Sequence, residues 1–241
     1  MRTALITGAS RGIGGAIARQ LAADGFRIIV NFNASEKEAE YLISELNNTH
    51  GIGCARLFQA DVADRGQVEQ MFDTVGGVDV LVNNAGIAQQ KLFTDITEQD
   101  WNRMFDVDVK GVFHCCQCAL PYMIHQKHGK IINISSMWGQ VGASCEVHYS
   151  AAKAAVIGLT KALAKEVGPS GIQVNCIAPG VIRTQMNAGL DEDTINQLCE
   201  ETPLGVIGSA QDIAAAVSFL AGEKSNFITG QVFGVNGGMI I

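Results

Sequence analysis

Short apolar runs alternate with helix-patterned stretches along the whole chain, and that alternation leaves few folds open. Runs at Thr3–Thr7, Arg27–Asn31, Ala55–Gln59, Asp79–Asn83, Lys130–Ser135, Gln173–Ile177 and Gln231–Val235 read as strands. Several are continuous β-branched or leucine runs, such as VDVLVNN and KIINIS, the pattern of strands buried on both faces. Helical periodicity lies between them, at Gly14–Ala23, Glu36–Asn47, Arg65–Val75, Glu98–Gln126, His148–Val167 and Gln211–Leu220. Thr97 with Asp100 forms an N-cap for the fourth helix, and Pro121 is expected to bend it late. Strand–helix alternation implies right-handed crossovers. The expected fold is therefore α/β: one Rossmann-type, doubly wound domain over residues 1–241, with a seven-stranded parallel sheet and helices on both faces.

The 241 residues are 47% hydrophobic and 17% charged, ample for one large core. A net charge of −7, without a basic run, argues against nucleic acid or an anionic membrane as a partner. No stretch offers the roughly 18 uninterrupted apolar residues of a membrane helix, and MRTALITGAS lacks the form of a signal peptide. A cytoplasmic location follows as the expectation. The seven cysteines are then expected to be reduced. CCQC (Cys115, Cys116, Cys118) contains a C-x-x-C, but it falls inside a helical pattern with no second ligand pair, which favours packing over metal binding.

Two groups of motifs along the expected sheet carry chemistry. TGASRGIG, Thr7–Gly14, follows the first strand and opens the first helix. Gly8 permits a tight turn, and Gly12 and Gly14 allow close approach of a pyrophosphate to the helix N-terminus. Near the end of the second strand, IIVNFNASEK presents Asn31, Asn33 and Ser35 with no acid before Glu36. A ribose 2′-phosphate meets no repulsion there, and Arg11 can pair with it, so NADP is favoured over NAD. Asp61 and Val62 stand where an adenine amine and ring would lie. Asn84 is placed to hold backbone and ribose. YSAAK puts Tyr149 and Lys153 four residues apart, on one helical face. An ammonium there lowers a phenol's pKa toward neutrality, although a packing tyrosine beside a snorkelling lysine has the same spacing.

Taken together, the glycine loop, NNAG, Ser136, Tyr149-x-x-x-Lys153 and the Pro179–Gly180 turn resemble the short-chain dehydrogenase/reductase family over essentially the whole chain. The resemblance implies that Ser10, Arg11, Gly12, Ile13 and Gly14, with Gly8, Asn33, Asp61, Val62, Asn84, Ala85, Gly86, Pro179, Gly180, Ile182 and Thr184, line an NADPH site shared with Tyr149 and Lys153. Tyr149 would protonate a carbonyl oxygen, Lys153 would lower its pKa and hold the nicotinamide ribose, and Ser136 would donate to the same oxygen. Residues 184–202 would form a lid over substrate. The family's helical asparagine is replaced by Asp108 in FDVDVKG, which a carboxylate can fill by ordering water or pairing with the lysine.

Within the family, TGASRGIG, VNNAGI, YSAAKAAVIGLTKALAKE and VNCIAPG resemble β-ketoacyl-carrier-protein reductases, implying a ketone borne on acyl carrier protein. ISSMWGQVGASCEVHYSAAK resembles instead the reductases of the 5-aminopentanone group on elongation factor P. Glu146 suits an amine, or simply the helix dipole. Lys127, His128, Lys130 and Arg183 are the candidates for a basic rim that would meet an acidic carrier. Asp108 leaves a third reading, a catalytically weakened dinucleotide-binding scaffold. Ala151, Ala155, Gly158 and Ala162 form a small-residue stripe suited to the family's helix-paired homotetramer.

Overall fold

The computed structural model describes residues 1–185, 189 and 191–241. Its central sheet has seven strands: β1 (Thr3–Ile6), β2 (Arg27–Phe32), β3 (Ala55–Gln59), β4 (Val80–Asn83), β5 (Gly129–Ile134), β6 (Ile172–Pro179) and β9 (Val232–Val235). They lie in the order β3-β2-β1-β4-β5-β6-β9, and every pairing is parallel. The order reverses between β1 and β4, which opens a crevice at their carboxyl ends. A second small sheet pairs β7 (Ile182–Arg183) with β8 (Gly208–Ser209).

Helices cover both faces because successive strand residues point in opposite directions. Ile6, Val30, Val82, Ile132 and Ile177 pack with Ile17 and Leu21 of α1 (Gly12–Ala23), Leu42 of α2 (Glu36–His50) and Ile213 and Leu220 of α9 (Ala210–Ala221). Their neighbours Leu5, Ile29, Leu81, Ile131 and Val174 join Met71 of α3 (Arg65–Val75), Cys115 of α5 (Gly111–Gln126) and Val156 of α7 (Val147–Val167) on the other face. Each large side chain fully buried this way contributes about 1.5–3 kcal/mol.

The long helix expected over Glu98–Gln126 is one helical run in two parts. α4 (Glu98–Phe105) starts at a capping box, with Thr97 Oγ1 accepting from Asp100 N–H and Asp100 accepting from Thr97 N–H. Residues Asp106–Lys110 then form a π turn before α5 begins. The departure from α geometry falls there, while α5 runs through Pro121 to Gln126. Within α5, Cys115 and Cys116 are buried in the core. Among the described residues, no group of three or more His, Cys, Asp or Glu is placed to hold a metal ion, and no helix is long and apolar enough to cross a membrane. Two short helices, α6 (Trp138–Val141) and α8 (Glu192–Glu201), go beyond what the periodicity shows. α8 lies inside the expected lid, of which residues 186–188 and 190 fall outside the described residues.

Candidate active site

The glycine loop is shaped by close approach. Gly8 sits at φ +61°, and a Cβ on it would stand 2.8 Å from Cα of Ala85. A Cβ on Gly14 would stand 2.5 Å from the carbonyl oxygen of Gly8. Side chains at these two positions would therefore fill the turn that leads into the N-terminus of α1. Asn84 closes it from the β4 side, its Nδ2 donating to the carbonyls of Thr7 and Gly8 at 2.9 and 3.1 Å. Its amide thus fastens the loop, the backbone-holding part of its expected role. Thr184 meets the same loop, its Cγ2 4.0 Å from where a Cβ on Gly12 would be. This bare turn at a helix N-terminus fits a pyrophosphate.

Beside it lies a depression of about 480 Å³ lined by Ser10, Arg11, Gly12, Arg19, Lys37, Glu38 and Tyr41. Arg19 is committed to Glu45 through two 2.7 Å contacts. Arg11 has a looser, exposed contact with Glu38 at 3.7 Å. Lys37 adds a positive charge that the sequence reading did not pick out, although it lies in the quoted stretch after β2. Asn33 is exposed nearby in the chain. A basic depression at this point fits a 2′-phosphate.

Asp61 and Val62 follow β3 and are tied to their surroundings. The Asp61 carboxylate takes a backbone N–H from Ala63 at 2.9 Å and lies 3.4 Å from Arg103. Val62 is buried, and a Cβ on Gly111 would fall 2.6 Å from its Cγ2. Its side chain therefore packs closely against the first turn of α5.

At the carboxyl end of β5, buried Ser136 lies near enough to Tyr149 to help pull its phenol's pKa down. Its Oγ also accepts the Trp138 N–H at 3.2 Å. The Lys153 ammonium is 5.6 Å from the Tyr149 ring centroid and donates to the carbonyl of Ile134 at 3.3 Å. Ser136, Tyr149 and Lys153 therefore converge, as their motif order implies. Asp108 joins them from the π turn, with its Oδ2 2.9 Å from Lys153 Nζ. Burial alone would lower Lys153, but this carboxylate overrides it and holds the ammonium above its usual range.

The phenol behaves differently from the expectation. Burial pushes Tyr149 above its ordinary value. Lys153 and Ser136 pull it down, but Asp108 and Glu146 push it up. The expectation that the Lys153 ammonium brings the tyrosine toward neutrality is corrected, because burial outweighs the lysine and Asp108 adds to it.

Several residues that hold the triad went unnoticed in the sequence. Ser135 Oγ donates to the carbonyl of Lys153 at 2.8 Å. A Cβ on Gly139 would stand 2.7 Å from the carbonyl carbon of Lys153, so α6 rests directly on this turn of α7. Beneath them, Asn83 donates to Asn133 at 2.8 Å and Asn133 to Thr160 at 2.9 Å, linking β4, β5 and α7. Asparagines inside apolar strand runs were the available signal. At the far side, Gly180 sits against Asn236, 2.7 Å from its Cα to a would-be Cβ, and Pro179 accepts the Met137 N–H at 2.9 Å. Ile182 is buried in the core.

The mouth is framed by the segment after β4. Lys91 N–H donates to the Cys145 carbonyl at 2.7 Å, Gln89 meets His148 at 2.9 Å, and Gln90 donates to Glu146 at 3.2 Å. Cys145 holds φ +62° there, half-buried. The basic rim fails in part. Lys130 is buried near the start of β5, bonded to the Gly222 carbonyl at 2.6 Å and Ser225 at 2.8 Å. With Lys127 and His128 it stands at the sheet edge opposite the crevice. Of the four candidates only exposed Arg183 follows a strand's carboxyl end.

A family model described as enoyl-(acyl carrier protein) reductase matches residues 8–240. The chain is 45% identical to the 3-oxoacyl-(acyl-carrier-protein) reductase FabG of Staphylococcus aureus, over 99% of this chain and 98% of that protein. A crystal structure of a gluconate 5-dehydrogenase from Burkholderia cenocepacia, in complex with NADP and tartrate, superposes with a TM-score of 0.92 at 37% identity, covering 99% of this chain and 94% of the other. A 3-oxoacyl-(acyl-carrier protein) reductase structure from Brucella melitensis gives 0.93 at 34% identity, covering 98% and 90%.

Proposed function

The chain belongs to the short-chain dehydrogenase/reductase family, and from that premise we propose that it is an NADPH-dependent ketone reductase acting on a 3-oxoacyl group borne on acyl carrier protein. The observation that carries this reading is the convergence of Ser136, Tyr149 and Lys153 at the sheet's carboxyl edge, beside the glycine turn. Likeness to 3-oxoacyl-(acyl-carrier-protein) reductases across 99% of the chain supplies the substrate class.

The cofactor would be held by Gly8, Ser10, Gly12, Ile13 and Gly14 at the pyrophosphate, and by Arg11 and Lys37 at the 2′-phosphate. Ala85, Gly86, Pro179, Gly180, Ile182, Thr184 and Lys153 would border its nicotinamide half. When bound, the reduced nicotinamide supplies hydride to the carbonyl carbon. Ser136 orients the carbonyl oxygen by donating a hydrogen bond, and Tyr149 gives its phenolic proton to that oxygen as negative charge develops there. Lys153 then stabilises the tyrosinate left behind. Residues 184–202 would cover the substrate. A cytoplasmic enzyme with the family's homotetrameric assembly is part of the proposal. Gly158 and Ala162 are exposed on α7, with Ala151 and Ala155 half-exposed beside them, as a close helix pairing requires.

One observation favours a second substrate, an amino-ketone carried on a protein such as elongation factor P. Glu146 is a half-buried carboxylate at the mouth whose hydrogen-bond partner is the neutral Gln90 amide, which leaves its charge free to meet an amine. Purified protein, NADPH and acetoacetyl thioester decide between them. Reduction of the thioester supports the first reading. No reduction of it, beside turnover of an amino-ketone-modified protein, replaces it with the second. Failure to oxidise NADPH with either substrate would leave the scaffold reading.

A further inference from the structure

Asp108 is fully buried, and a simple proton donor to a carbonyl needs no carboxylate at that point. Three features of the fold hold it there. The π turn at Asp106–Lys110 carries it inward between α4 and α5. Its Oδ1 accepts the backbone N–H of Ile87 at 2.9 Å, on the loop that follows β4. Gly86 leaves the space it needs, since a Cβ there would stand 2.9 Å from Asp108 Oδ2 and 3.1 Å from Lys153 Nζ. Apart from the ammonium, Oδ2 has no further hydrogen-bond donor among the described residues.

Charge counting shows what this pair does to its neighbour. A buried lysine alone carries one positive charge, and loss of the tyrosine proton would bring the cluster to zero, so ionisation is favoured. With Asp108 present the cluster starts at zero, and ionisation would leave a net negative charge in a poorly solvated site. Other groups facing the phenol do not reverse this. Glu146 at the head of α7 adds negative charge, and Ser136 supplies only a neutral donor. His148, the residue just before Tyr149, is turned to Gln89. The Cys176 thiol on β6 faces Lys153 and stays neutral, pushed up to about 11 by burial. Lys91 and Lys110 are taken by Asp100 and Asp106, each at 2.6 Å.

We propose that Asp108 is a positioning residue that holds Lys153 as a neutral ion pair and so keeps the Tyr149 hydroxyl protonated, setting this site to donate protons to ketones rather than to take them from alcohols. This rests on the reductase reading for its direction of use, but the ionisation itself is independent of any substrate. The carbonyl carbon gains the hydride and its oxygen gains the phenol proton, leaving tyrosinate to be reprotonated from solvent. The reverse reaction must begin from tyrosinate, which Asp108 disfavours.

The test is a tyrosinate absorbance titration of the cofactor-free protein. Subtracting the Tyr149→Phe titration cancels Tyr41 and Tyr122 and leaves the Tyr149 transition alone. In the parent protein it should lie above the ordinary phenol value of about 10. In Asp108→Asn it should fall by about one unit or more, while Asp108→Glu, which keeps the charge, should stay closer to the parent. The alkaline limb of ketone reduction should move with it, and the saturating rate of alcohol oxidation at neutral pH should rise. A parent transition below about 8 overturns the proposal without any variant. So does an unmoved transition in folded Asp108→Asn, or an equal shift in Asn and Glu variants. A shifted transition in a protein that reduces no ketone would instead sustain the role of Asp108 and remove the reductase reading.

Discussion

Ser135 Oγ donates to the main-chain carbonyl of Lys153 at 2.8 Å, so the residue beside the Ser136 donor also fixes the helical turn that carries the ammonium. Removing this bond should disturb the site more than the fold. Ser135→Ala is expected to lower stability by about 1 kcal/mol, the usual net value of one hydrogen bond, or up to about 3 if the carbonyl finds no new donor. Because the turn bearing Lys153 loosens, kcat should fall several-fold with a smaller change in ketone KM. Chemical denaturation beside steady-state kinetics separates the two effects, and equal kinetics would show that α6 alone holds the turn.

Tyr149 is the single proton donor in the proposed step, so Tyr149→Phe keeps the ring and loses the chemistry. Reduction should drop by at least about a hundredfold, within the range general acid catalysis supplies. Binding of NADPH, followed by nicotinamide fluorescence, should stay near the parental value because Lys153 remains. Parental turnover in the phenylalanine variant would remove Tyr149 from the mechanism.

Gly86 makes room for the Asp108–Lys153 pair. Gly86→Ala puts a methyl 2.9 Å from Asp108 Oδ2 and 3.1 Å from Lys153 Nζ, closer than ordinary contact. The carboxylate and the ammonium are both buried and cannot swing away to solvent. The expected outcome is a loss of about 1–3 kcal/mol, typical of overpacking, together with a marked loss of kcat. Thermal denaturation and kinetics on the same preparation check both parts.

The strands and long helices were legible because the central strands' apolar runs, as in β1, β4 and β5, are buried along their whole length, while helical periodicity fills the stretches between them. The reversal between β1 and β4 then put the glycine loop and NNAG side by side, as motif order implies. What the sequence hid was long-range electrostatics. Lys130 looks like a surface charge in KIINIS, yet it is buried and bonded to Gly222 and Ser225, more than ninety residues away. The opposing pulls on Tyr149 depend on a carboxylate forty-one positions upstream, delivered by a π turn that periodicity does not reveal. Short helices such as α6 escaped for a simpler reason, since four residues carry too little period to read.

Cofactor choice should respond to the basic depression. Arg11→Ala removes the guanidinium now shared loosely with Glu38. A lost charge-assisted bond to the 2′-phosphate is worth about 1.5–3 kcal/mol, which raises the KM for NADPH by roughly tenfold or more. The KM for NADH, which lacks that phosphate, should change little. Lys37→Ala should act in the same direction, and an equal loss for both cofactors would place these residues elsewhere than at the 2′-phosphate.

Alkaline pH should weaken the fold through its buried thiols. Burial holds Cys176 up to about 11 and Cys116 up to about 12. In the unfolded chain they ionise near the ordinary thiol value of about 8.5. Each group therefore binds its proton more tightly in the folded state. Its contribution is fully present below that unfolded value and is lost as pH rises toward its folded one, at up to about 1.4 kcal/mol per pH unit per thiol. Lys130 works the other way over part of this range, because burial lowers it to about 8 and folding there releases a proton. Stability measured by urea denaturation should accordingly hold near pH 8 and decline above about 9. Cys176→Ala should flatten the decline, and Lys130→Met should steepen it by removing the opposing contribution. A decline of unchanged slope in both variants would assign alkaline unfolding to other groups.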